Sequence, residues 1–179
     1  AKPITEISTE TISRIDTGFT EFNRVLGGGI VPGSVTLIAG EPGIGKSTLL
    51  LETAGNVARL SAAQPERNTV LYISGEESQA QVRMRASRIG AVEPNLLLAA
   101  TTDLSTALGL IEQCKPALAI VDSAQTIVSQ EVDGISGGST QVREVASALI
   151  DTAKTLDIPV LLVGHVTKDG SKIGRASCR

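Results

Sequence analysis

Short apolar runs alternate with longer stretches of helical spacing along this chain. Val35-Thr36-Leu37-Ile38-Ala39, Thr69 to Ser74, Asn95 to Ala99, Ala117 to Val121 and Pro159 to Gly164 are the apolar runs. Each is too short for a helix and is bounded by Gly, Pro, Asn, Asp or Ser, so each reads as a strand, the first two as buried strands. Between them, helical spacing predicts helices from Phe19 to Leu26, from Lys46 to about Ala62, from Gln79 to Ile89, from an Asp103 or Ser105 cap to before Pro116, and from about Thr140 to Thr155. Gly27-Gly28-Gly29 stops the first helix, and Pro32-Gly33 is a turn into the first long strand. Ile12 to Gly18 alternates as a short strand and then turns. Strands alternating with helices predict an α/β fold with a mostly parallel central sheet flanked by helices on both faces. Residues 1–8 read as a linker, 9–171 as a single core, and 172–179, which continue no pattern, as an appended tail outside the fold.

Composition narrows the chemistry. A length of 179 residues with 41% hydrophobic positions is enough for one domain with a substantial core. No stretch is apolar for long enough to span a bilayer and no signal peptide is visible, so a cytoplasmic location without membrane contact is the expectation. The net charge of -3 gives no overall basic footprint for nucleic acid, which leaves room only for a local basic loop. Two cysteines (Cys114 and Cys178) and one histidine cannot assemble a Cys/His zinc site, and Cys114 reads as a reduced, half-buried helix thiol. Aromatic residues at 2% leave no stacking platform for bases.

The most specific motif lies between the first long strand and the helix that follows it. Gly40-Glu41-Pro42-Gly43-Ile44-Gly45-Lys46-Ser47 reads G-x-x-x-x-G-K-S, a P-loop, and Thr48 continues it into the helix. The glycines let backbone N–H groups close around phosphate oxygens at a helix N-terminus, whose partial positive charge favours anions. Lys46 is placed to reach the β- and γ-phosphates, and the Ser47 hydroxyl to complete a Mg²⁺ shell. Asp122 ends the strand Ala117 to Val121, the arrangement of a Walker B element, and its carboxylate is the second expected Mg²⁺ ligand, direct or through water.

Hydrolysis also needs a carboxylate that orients or deprotonates water. Glu76 and Glu77 follow the second strand at the same sheet edge; Glu76 is the favoured base and Glu77 its helper, although either could instead simply favour the dipole of the Ser78 helix. His165 ends the last strand, where it could sense the γ-phosphate or serve only structure. With no N-K-x-D guanine-reading motif, ATP is the expected nucleotide.

Taken together, these segments resemble the RecA-like P-loop ATPase family, and within it the bacterial DNA-repair members. The residues that carry the likeness are Thr17-Gly18-Phe19, Arg24 to Gly29, Val31 to Ser34, the P-loop with Ser47 to Leu51, Ser74 to Ser78, Asp122-Ser123, Gln141 to Glu144, and Val163 to Ser171. The resemblance covers roughly residues 10 to 171. It implies a hexameric, DNA-dependent ATPase of recombination and repair that promotes branch migration on single-stranded or branched DNA beside a recombinase. It further implies that the loops 128–139 and 167–171 face DNA, with Arg143 and Lys168 as phosphate contacts or nucleotide sensors. Whole members of that group carry a four-cysteine zinc element, a Lys-Asn-Arg-Phe-Gly segment and a C-terminal Lon-protease-like domain. None of these is in this sequence, so it reads as an ATPase core ending before its last strands, and zinc is not expected.

Two other classes share the phosphate cradle. The circadian-clock KaiC proteins resemble this core and share the Glu-Glu pair, which implies a nucleotide-gated assembly or signalling ATPase acting on protein. A small-molecule kinase would need a lid with several arginines, and the Gly/Ser loop from Gly134 to Ser139 is a poor one.

Overall fold

The computed structural model describes residues 1–7, 13–41, 45–131, 134–135 and 137–165. Five strands form one sheet: β1 (Val35–Gly40), β2 (Val70–Ser74), β3 (Leu96–Ala100), β4 (Leu118–Asp122) and β5 (Val160–His165). Their order is β1-β5-β4-β2-β3, and every pairing is parallel. Around them run α1 (Thr20–Val25), α2 (Lys46–Ser61), α3 (Gln79–Arg88), α4 (Leu104–Cys114) and α5 (Ser139–Leu156). The mostly parallel sheet expected from the alternation is thus wholly parallel among the described residues.

The unbroken apolar runs follow from burial on two faces. Successive side chains of a strand point to opposite sides, so each central strand feeds two cores. Val70, Tyr72, Leu118, Ile120, Leu161 and Val163 pack with Phe22 of α1, Leu50, Leu51 and Ala54 of α2, and Val82 of α3. Leu71, Ile73, Ala119, Val121, Val160 and Leu162 pack on the other side against Ile111 of α4 and Val145, Leu149 and Ala153 of α5.

Two expectations about strands are corrected. β1 is half-buried at every position, because it lies at the edge of the described sheet and only β5 covers one side of its ladder. The alternating segment before Gly18 makes a single antiparallel bridge, Ile15 with Ile30, instead of a strand; the bends at Thr17-Gly18 take the chain directly into α1. Residues 8–12 and 166–179, including the expected tail 172–179, lie outside the described residues, while residues 4–6 form one exposed 3₁₀ turn.

Helix ends follow local chemistry. Ser78 caps α3 in a reciprocal box with Gln81, and Asp103 is the cap of α4, accepting from the Thr106 amide. Register then builds the site. Gly40 stands opposite His165, and Ser74 opposite Asp122, so the carboxyl ends of β1, β5, β4 and β2 meet along one edge.

Gly55 seats α2 against the turn that follows α3: a Cβ there would lie 2.9 Å from the Ala91 Cβ. Gly55→Val should therefore lower stability by about 1–3 kcal/mol through overpacking. Chemical denaturation checks this, the midpoint falling with the slope unchanged.

Candidate active site

The start of α2 and the end of β5 line a cleft of about 250 Å³, formed by Gly45, Lys46, Ser47, Thr48 and His165. Gly45 precedes α2 with φ of 76°, a left-handed conformation that costs glycine little and a β-carbon-bearing residue considerably more. Gly40 and Glu41 form the entry to this turn, while Pro42, Gly43 and Ile44 lie outside the described residues.

Lys46 is buried, with its Nζ donating to the carbonyls of Gly40 at 2.6 Å and Glu41 at 2.8 Å. Its ammonium therefore bridges the two ends of the turn. Desolvation pulls its pKa below the ordinary lysine range, and the negative charges of Asp122, Glu76 and Glu41 oppose that pull.

Asp122 is buried at the end of β4. The Ser47 hydroxyl donates to its Oδ2 at 2.6 Å, and the Tyr72 hydroxyl donates to the same oxygen at 3.0 Å. Its Oδ1 is buried and has no partner among the described residues. A buried carboxylate oxygen left unpaired beside a serine hydroxyl is an oxygen-donor set suited to a hard divalent cation. Ser47 and Asp122 therefore fit Mg²⁺.

Glu76 and His165 come together at the same edge. His165 Nε2 lies 2.9 Å from Glu76 Oε1, and the Ser123 hydroxyl donates to that oxygen at 3.1 Å. One ligand-type atom from each of Glu76, Asp122 and His165 falls within 4.8 Å of the other two. Glu76 is still 44% exposed, which leaves it open to water, and the buried Nδ1 of His165 has no partner among the described residues.

The neighbouring Glu77 turns elsewhere. Its carboxylate pairs with Arg85 Nη2 of α3 at 2.7 Å, and its amide bonds the Ser74 hydroxyl. Arg143 is exposed on α5, and with Thr140, Glu144, Ser147 and Ile150 it lines a separate open hollow. Lys168 and the whole loop 167–171 lie outside the described residues, as do 132–133 and 136 of the other expected DNA loop.

Several supporting residues escaped the motif reading. The Gln125 side chain accepts from the His165 amide and donates to the His165 carbonyl, both at 3.1 Å, so it extends the edge of β5 as a strand would. Gly75 lies so close to Thr126 that a Cβ would be 2.3 Å from its Oγ1. Tyr72 was the most findable of these: it is the single tyrosine of the sequence and falls in a fully buried strand, where a hydroxyl demands a partner.

Comparison with known proteins agrees with this geometry. A family model described as an AAA domain matches residues 1–171. A protein of Mycobacterium tuberculosis named DNA repair protein RadA is 51% identical over 180 aligned positions, covering 99% of this chain and 36% of that protein. Proteins of the same name from Bacillus subtilis and Streptococcus pneumoniae are 47% and 44% identical, each match covering 96% of this chain and 36% or 39% of theirs. The chain thus spans little more than a third of the length of these relatives.

If the Gln125 side chain fastens the end of β5, Gln125→Ala should raise hydrogen exchange of the His165 amide about five- to tenfold, the worth of roughly one hydrogen bond. Exchange measured by mass spectrometry or NMR checks this, with the Leu161 amide in mid-strand as the unchanged control.

Proposed function

The chain belongs to the AAA-domain family, with the wholly parallel α/β core of a RecA-like ATPase, and on that premise we propose that it is the ATP-binding and ATP-hydrolysing core of a DNA-repair motor. The observation that carries this reading is the part-buried Ser47–Asp122 contact beside Lys46, with one buried oxygen of Asp122 unpaired among the described residues. In this reading the first turn of α2 receives the phosphates, because its free N–H groups and dipole favour anions. Lys46 exchanges its two backbone carbonyls for β- and γ-phosphate oxygens. Ser47 and Asp122 hold Mg²⁺, which when bound offsets phosphate charge and orients the γ-phosphoryl group.

Glu76 is the general base. Its carboxylate is open to water yet anchored by Ser123 and His165, so it can align a water and take its proton. His165 shares that oxygen and lines the cleft, which suits it to respond when a γ-phosphate arrives.

The name shared by the relatives, DNA repair protein RadA, supports the repair role; DNA dependence, branch migration, a homo-hexameric ring and cooperation with a recombinase are proposed from the resemblance of the sequence to bacterial DNA-repair ATPases. So is a cytoplasmic location; among the described residues no helix is long and apolar enough to cross a membrane. Arg143 is then a candidate DNA or nucleotide-sensing contact from α5, and Lys168 one from the loop beyond β5.

Lys46→Ala should abolish nucleotide binding or turnover, because several phosphate contacts converge on that ammonium. Glu76→Gln should keep ATP bound and slow hydrolysis by about 10²- to 10⁴-fold; normal turnover in that variant would remove Glu76 from its role. ATPase rates with and without single-stranded DNA, on this chain and on one extended to the length of its relatives, test the motor. Stimulation in the longer chain that is lost with Lys46→Ala supports it, and rates indifferent to DNA favour a nucleotide-gated protein acting on other proteins.

A further inference from the structure

The proposed metal site is backed by a row of polar side chains that runs outward through the core. Tyr72 is fully buried, and its hydroxyl donates to Asp122 Oδ2. With the Ser47 hydroxyl on the same oxygen, Oδ2 already accepts two bonds, and Oδ1 is the oxygen left over. Near Tyr72 stands Arg85 of α3, whose buried Nε has no partner among the described residues. Arg85 is itself neutralised by Glu77 at 2.7 Å.

We propose that Tyr72 is a positioning residue for the metal-holding carboxylate: its hydroxyl fixes the rotation of Asp122 so that Oδ1 is presented to the cation, and Arg85 with Glu77 keeps that hydroxyl in place. This rests on the ATPase reading of the site. Three physical points support it. A carboxylate at a strand end can rotate about its last bond, and two donors on one oxygen stop that rotation. Tyr72 is fully buried, so no solvent competes with Asp122 for its hydroxyl. The acceptor is a carboxylate, so the bond from the phenol is stronger than one to a neutral oxygen.

The chain also gives the two adjacent glutamates different work. Glu76 faces the cleft, while Glu77 is committed to Arg85 and acts on the metal site through Arg85 and Tyr72. Supporting partners of metal ligands commonly change metal affinity by about 10- to 100-fold when removed.

The test uses the 179-residue chain and a fluorescent ATP analogue, titrated in EDTA and again across a Mg²⁺ series. Tyr72→Phe removes one oxygen and should raise the Mg²⁺ concentration for half-maximal tightening about tenfold, while affinity in EDTA stays at the wild-type value. Arg85→Met should shift the midpoint in the same direction by a smaller factor, and it serves as the deciding variant should Tyr72→Phe fail to fold. An unmoved Mg²⁺ midpoint overturns the inference, and so does equal weakening with and without Mg²⁺, which marks a merely structural residue. A wild-type chain that binds the analogue with no Mg²⁺ effect overturns the ATPase reading itself, and this inference with it.

Discussion

A single carboxylate at the end of a central strand sets the terms for the whole cleft. Asp122 is buried, and burying an ionised group costs several kcal/mol unless partners replace its water. Hydrogen bonds to a charged acceptor return about 1.5–3 kcal/mol each. Ser47 and Tyr72 supply two, both to the same oxygen. The balance is nearly even on one side of the group and unfilled on the other. Lys46 stands close enough for its charge to be felt. In the folded chain the second oxygen of this carboxylate stays buried and without a partner among the described residues.

Parallel pairing explains how distant segments contribute to one place. All strands point the same way, so their carboxyl ends, and the loops that leave them, share an edge. The pairing of Gly40 with His165, and of Ser74 with Asp122, brings together residues from across 126 positions of the sequence (from 40 to 165). A slip of one residue in any of these ladders would turn Asp122 or His165 to the opposite face. Burial of both faces in two separate cores is what forbids the slip.

Much of this was legible in the sequence, for identifiable reasons. The apolar runs located all five strands of the described sheet, and β2, β4 and β5, buried on two faces, need no alternation to be recognised. The place of the Gly-rich turn between β1 and α2, and of Asp122 at the end of β4, was legible because backbone geometry and charge leave little choice of residue there. What could not be read was side-chain pairing across elements. Glu76 and Glu77 are adjacent and chemically alike, and their partners, His165 and Ser123 for the first and Arg85 of α3 for the second, are set by the fold. Gln125 likewise gives no local sign that it will act as a backbone substitute for β5. The burial of β1 was overestimated because composition records a strand's hydrophobicity and not its place in the sheet.

The short segment after β4 touches three sides of the cleft at once. Ser123 holds Glu76, Thr126 lies against Gly75, and Gln125 grips the backbone of His165. A clasp of this kind ties the glutamate, the histidine and the aspartate into one mechanical unit. Warming or strain that frees any one of them frees the others, so the cleft should lose its shape in a single step instead of fraying from one side.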